Sequence, residues 1–236
     1  MNPQAITDQL VTDLQRLRFG RPVTHVYNPL VYARRSYDEY WRRYGGPPKE
    51  VVLLGMNPGP WGMAQTGIPF GEVAAVKTWL GIEKEVDHPP CEHPKRPVTG
   101  FACTRSEVSG RRLWGWAART FGTPKEFFRR FFVVNYCPLL FMEASGRNRT
   151  PDFLPVAERR PLLAACDRAL ARSMEHLGPR WVIGVGKFAE ERAREALAGL
   201  DLRVGCILHP SPASPQANQD WEGRVNAQLR DLGILS

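Results

Sequence analysis

The chain has 236 residues, of which 43% are hydrophobic, and a formal net charge of +8. The apolar share is ample for a buried core, yet no apolar run is long enough to span a bilayer. The polar, amphipathic opening Met1-Asn2-Pro3-Gln4 lacks the apolar segment of a secretory signal, so a soluble, intracellular protein with no membrane partner is expected.

No Gly/Ser linker, low-complexity tract or internal repeat interrupts residues 1–236, which are read as one domain, expected to act as a monomer. Apolar and charged residues alternate at helical spacing over 5–18 and 37–44. A continuous apolar strand, 51–54, then runs into the turn Gly55-Met56-Asn57-Pro58-Gly59-Pro60. After a helix over 111–121, the strand 131–135 ends in Asn135-Tyr136-Cys137-Pro138. A helix over 156–177 is expected to break or restart at Pro161-Leu162-Leu163, since proline disrupts a helix interior. The strand 181–185 ends in Gly184-Val185-Gly186-Lys187 and leads into a helix over 187–200. The strand 204–208 ends in His209-Pro210-Ser211-Pro212, and a helix over 221–232 follows.

Continuous rather than alternating apolar strands are covered on both faces. Their alternation with helices predicts an α/β protein with a four-stranded parallel sheet between helical layers. Such sheets bind ligands beyond the carboxyl ends of their strands. Asn57, Asn135 and His209 all fall at that edge. Turn chemistry explains the glycines and prolines there, but not two asparagines and a histidine together. Gly184-Val185-Gly186-Lys187 is either a phosphate cradle at a helix start or a tight turn with an exposed lysine.

The basic groups Lys95-Arg96, Arg111-Arg112, Arg129-Arg130 and Arg147 with Arg149 favour a polyanionic partner, most simply nucleic acid. The 5 cysteines are odd in number and include no CxxC, which argues against a disulfide framework. Cys137, Cys166 and Cys206 lie in apolar stretches and read as core residues. Cys91, His93 and Cys103, with His88 nearby, are zinc-ligand types, but their spacing matches no common module, so no metal is expected.

The run from Gly55 through Asn57-Pro58-Gly59-Pro60-Trp61-Gly62-Met63 and Phe70-Gly71 to Val73 closely resembles the single-strand-selective monofunctional uracil-DNA glycosylases. Ser106-Glu107-Val108-Ser109-Gly110, Asn135-Tyr136-Cys137-Pro138-Leu139 and His209-Pro210-Ser211-Pro212 agree, and the resemblance extends from Tyr27 to Trp221. It implies an α/β/α fold, DNA as partner, no cofactor, and hydrolysis of the bond between uracil and deoxyribose to leave an abasic site.

The resemblance also implies roles. Phe70 stacks on a base flipped out of the helix. Asn135 reads it, because one amide supplies the acceptor for N3–H and the donor for O4. His209 stabilises the charge that develops on O2. Asn57 orients the attacking water. Gly59 leaves room at C5, where stringent relatives place a tyrosine, so 5-hydroxymethyluracil should be accepted. Met56 and Met63 line the same space. Without the resemblance, Phe70 and the methionines would be read as core, Asn135 as a turn cap and His209 as structural.

Pro210, Ser211, Pro212, Ala213 and Ser214 form the loop expected to enter the DNA, with Lys187 as a further DNA contact. Vertebrate members carry an arginine where this chain has Ala213, which weakens the expected hold on duplex DNA. No lysine stands in these motifs to form a Schiff base with the sugar, consistent with a monofunctional enzyme. Three alternatives remain: a superfamily member acting on deaminated purines, a silent protein that binds damaged DNA, and a nucleotide-binding protein using Gly184–Lys187.

Overall fold

A computed structural model describes residues 2–235. In chain order its elements begin α1 (Pro3–Gln15), β1 (Val23–Tyr27), α2 (Pro29–Tyr32), α3 (Arg34–Tyr44), β2 (Val51–Gly55), α4 (Met63–Thr66) and α5 (Val73–Thr78). They continue with α6 (Val108–Phe121), α7 (Pro124–Arg130), β3 (Phe131–Asn135), β4 (Leu140–Glu143) and β5 (Asn148–Arg149). The last are α8 (Val156–Leu177), β6 (Trp181–Val185), α9 (Lys187–Ala196), β7 (Arg203–Ile207) and α10 (Pro215–Asp231).

The four expected strands form one sheet in the order β3-β2-β6-β7, all neighbours parallel. Every residue of β2 is buried, so this central strand is covered on both faces, as in a three-layer α/β/α protein. Register pairs Gly55 with Asn135 and Val185 with Ile207, which brings the carboxyl ends of all four strands to one edge. Aromatic rings fill much of the core. Phe127 stacks on Phe131 at 5.3 Å, and Tyr40 on Phe132 at 4.9 Å.

A second, antiparallel sheet, β1-β4-β5, is not evident in the sequence. Its strands are short, and β1 and β4 lie far apart in the chain, so no hairpin signal marks the pair. The expected break at Pro161 does not occur, because α8 continues through it. The proline costs this long helix one ladder bond, to the carbonyl of Ala157, while packing of Leu162, Cys166 and Leu170 holds the rest. The expected start at 221 corresponds to a restart within α10. Asp220 leaves helical geometry there, and its Oδ1 accepts the Gly223 N–H at 2.9 Å. No helix among the described residues is long and apolar enough to cross a membrane.

Candidate active site

At the carboxyl edge of the sheet lies a cavity of about 330 Å³ whose wall includes Met56, Asn57, Gly59, Phe70, Asn135 and His209. This volume falls in the range of small-molecule pockets. The ends of β2, β3 and β7 each contribute one piece.

Beyond β2, the Asn57 amide is oriented by donating its Nδ2–H to the Leu139 carbonyl at 3.2 Å. Its Oδ1 accepts no hydrogen bond from the described residues and is left for a ligand or water. The turn holding Asn57 is braced by buried Gln65, whose Nε2 donates to the Pro60 and Pro97 carbonyls at 2.9 and 3.0 Å.

At the end of β3, Asn135 is fixed because Tyr136 N–H and Cys137 N–H donate to the Gly55 and Met56 carbonyls, both at 2.9 Å. Among the described residues, its side-chain Nδ2 has only the Met63 sulfur, at 3.2 Å, as an acceptor. Thioether sulfur accepts weakly, so the amide keeps most of its capacity for a ligand.

Phe70 has φ 53°, in the left-handed region that costs a bulky residue energy. Its carbonyl repays part of that cost by accepting the Trp114 Nε1–H at 3.0 Å and the Glu72 N–H at 2.7 Å. The ring lies over Gly55, where a Cβ would approach it to 2.6 Å and Asn135 Oδ1 to 2.3 Å. Its centroid is 6.2 Å from that of His209.

His209 follows β7. Its Nδ1 accepts the Ser211 N–H at 3.0 Å, which assigns the proton of the neutral ring to Nε2. Burial lowers its pKa to about 4, so at neutral pH it is an uncharged donor. Gly186, at φ 94°, passes behind it, and a Cβ there would lie 3.2 Å from the His209 Cβ.

The family model described as "Uracil DNA glycosylase superfamily" matches residues 42–230. A "Single-strand selective monofunctional uracil-DNA glycosylase" of Rattus norvegicus is 54% identical over 229 residues, 96% of this chain and 82% of that protein. Similarly named proteins of Mus musculus and Bos taurus are 53% and 52% identical, again over 96% of this chain, and are covered to 82% and 84%. The chain belongs to the single-strand-selective monofunctional uracil-DNA glycosylase family. A solved structure titled "The crystal structure of WT Pedobacter heparinus SMUG2" shares the fold, with a TM-score of 0.65, 14% identity and 97% of both chains covered.

In this glycosylase-family pocket, Met56, Asn57, Gly59, Phe70, Asn135, His209 and Ser211 come together. Met63 does not line the cavity; it is 2% exposed and backs Asn135. Pro210 is buried, whereas Pro212 and Ala213 are exposed. Ser214 caps α10 by accepting the Ala217 N–H at 3.3 Å. The loop is braced from α6 and α10. Arg112 donates to the Pro210 carbonyl at 3.0 Å and to Asn218 Oδ1 at 2.9 Å, and Asn218 donates to the Pro212 carbonyl at 2.8 Å. Lys187 stands apart from the cavity, with its Nζ 2.8 Å from Glu190. The Glu190 carboxylate, in the first turn of α9, opposes phosphate binding at Gly184–Lys187. His93 is buried, with its Nε2 3.1 Å from the Glu143 carbonyl. No cluster of three His, Cys, Asp or Glu side chains that could hold a metal occurs among the described residues.

Pro58, Glu107, Ser109, Asn148 and Thr150 complete the wall, and the sequence alone assigns none of them a role. Asn148 and Thr150 come from β5 and the residues after it, so the unrecognised small sheet concealed them. The Asn148 Oδ1 is buried without a partner among the described residues. Glu107 caps α6, its Oε2 accepting the Gly110 N–H at 3.2 Å. Part of its surface reaches the pocket, yet protein closely surrounds the carboxyl. Burial, assisted by repulsion from Glu72, raises its pKa to about 7 against the pull of the Gly110 N–H.

A carboxyl whose folded pKa lies above its unfolded value contributes stability at low pH that is lost as pH rises towards 7. Glu107→Gln keeps the cap acceptor and cannot ionise. Thermal melts should therefore show little difference from the parent near pH 4.5 and an advantage for the variant at pH 8, on the order of 1–3 kcal/mol. A pH-independent difference would contradict the assigned shift.

Proposed function

We propose that the chain hydrolyses the N-glycosidic bond of uracil and of C5-oxidised uracils, such as 5-hydroxymethyluracil, in DNA, leaving an abasic site without cutting the strand. The observation that carries this reading is the convergence on one cavity of an amide reader, an imidazole donor, a water-orienting amide and a stacking ring, namely Asn135, His209, Asn57 and Phe70.

The base leaves the stack at a cost of a few kcal/mol, least in single strands, and enters beside Phe70. Asn135 accepts from N3–H and donates to O4. Cytosine presents the opposite pattern and would leave buried groups unpaired, a mismatch worth about 10⁴-fold in discrimination. The C1′–N1 bond then breaks with its electron pair going to the base. Negative charge on O2 is stabilised by the His209 Nε2–H, and a neutral donor there needs no proton from solvent. A water held by Asn57 Oδ1 adds to C1′ and loses its proton to bulk. The amide orients that water and does not deprotonate it.

Excess basic charge favours the DNA backbone. The exposed Pro212 and Ala213, on the loop braced by Arg112 and Asn218, are the groups that enter the space vacated by the base. Ala213 offers no charge to hold the product, so release of the abasic site is fast and single strands are favoured.

Asn57→Ala should cut uracil excision from a labelled oligonucleotide by at least about 10² while leaving DNA affinity near the parent value; unchanged turnover would refute the assignment. The same gel assay on uracil, 5-hydroxymethyluracil, xanthine and hypoxanthine separates this reading from a purine-specific enzyme, and absence of all cleavage would favour a silent binding protein. For Ala213→Arg, titration with abasic duplex should give tighter product binding than the parent. Equal affinity would remove the loop from the account.

A further inference from the structure

Gly59 opens less free space than its missing side chain suggests. A Cβ on Gly59 would lie 2.1 Å from Glu107 Oε1, and one on Gly62 would lie 2.5 Å from Glu107 Oε2. The carboxyl therefore occupies the volume that a side chain at position 59 would fill. Oε2 is engaged by the Gly110 N–H, whereas Oε1 accepts no hydrogen bond from the described residues. Glu107 also forms part of the cavity wall.

The position of this oxygen relative to a bound uracil follows from the proposed function. His209 takes O2 and Asn135 takes N3 and O4, so the next ring atom beyond O4 is C5. The donor assigned to O4, Asn135 Nδ2, touches the Met63 sulfur at 3.2 Å. Met63 adjoins Gly62, over which the Glu107 carboxyl lies. The path Asn135–Met63–Gly62–Glu107 leads from the donor assigned to O4 to the carboxyl that fills the space beside Gly59, which would set that carboxyl next to C5.

We propose that Glu107 is a specificity residue at the C5 edge, its Oε1 accepting a hydrogen bond from a hydroxyl carried on C5 and rejecting a methyl there. A hydroxymethyl group gives the oxygen a partner. The methyl of thymine covers the same oxygen without one and leaves a desolvated polar group unpaired, which is costly. An enlarged apolar space could not make that distinction, because an apolar pocket discriminates weakly between groups of similar size. The capping role of Glu107 alone predicts no dependence on the C5 substituent.

The test is single-turnover excision from single-stranded oligonucleotides carrying uracil, 5-hydroxymethyluracil or thymine, with the parent protein, Glu107→Gln, Glu107→Asp and Glu107→Leu. The amide of Glu107→Gln can still partner a hydroxyl, so its ratio of 5-hydroxymethyluracil to uracil rates should stay within about threefold of the parent. In Glu107→Leu that ratio should fall at least about tenfold, and the thymine-to-uracil ratio should rise. Should Glu107→Leu fail to fold, Glu107→Asp decides. It retains a carboxylate for the Gly110 N–H but is one methylene shorter, and the 5-hydroxymethyluracil ratio should again fall. Ratios that stay constant while uracil and 5-hydroxymethyluracil excision decline together would overturn the proposal and indicate a capping or general-base role. Failure of the parent protein to excise uracil at all would instead overturn the proposed function on which this inference rests.

Discussion

The pocket depends on backbone that carries no side chain. Gly55 lies under Phe70 and Asn135, Gly59 and Gly62 under the Glu107 carboxyl, Gly110 against the Phe70 carbonyl, and Gly186 behind His209. At each place a Cβ would stand 3.2 Å or closer to an atom of the site. The strand ends thus supply position and the glycines supply volume. Close-packed interiors leave no slack for an added methyl group, so the site's geometry is set by what these positions lack.

Placed in that volume, the polar groups are held by neighbours that fix their hydrogen-bonding direction. The Leu139 carbonyl takes one end of the Asn57 amide, and the Ser211 N–H takes one nitrogen of His209. Asn135 and Glu107 each retain an atom with little or no partner among the described residues. Burial keeps the histidine neutral and raises the Glu107 carboxyl. The cavity therefore presents uncharged donors and free acceptors in a desolvated setting, where hydrogen bonds discriminate strongly between partners.

The parallel sheet was legible in the sequence because strands buried on both faces read as unbroken apolar runs, as in Val51-Val52-Leu53-Leu54. The placement of Asn57, Asn135 and His209 followed from their positions after those runs. The small sheet was not legible. β1 and β4 pair across a long sequence separation, and β5, joined to β4 by a short turn through Gly146, is only two residues long, so Asn148 and Thr150 were hidden with it. Glu107 was visible as a letter in a motif but not as a wall of the cavity, since only packing places it in the space left by Gly59. Met63 and Pro210 show the converse, with motif position placing them at the site and packing burying their side chains.

The most direct test of the glycine-dependent pocket is the uracil excision rate of Gly55→Ala, with folding followed by thermal melting. The added methyl would collide with both the Phe70 ring and the Asn135 amide oxygen. A folded variant should lose at least about 10²-fold in rate, the scale expected when base-reading groups are displaced from their geometry. A folded Gly55→Ala protein that excises uracil at the parent rate would contradict the account.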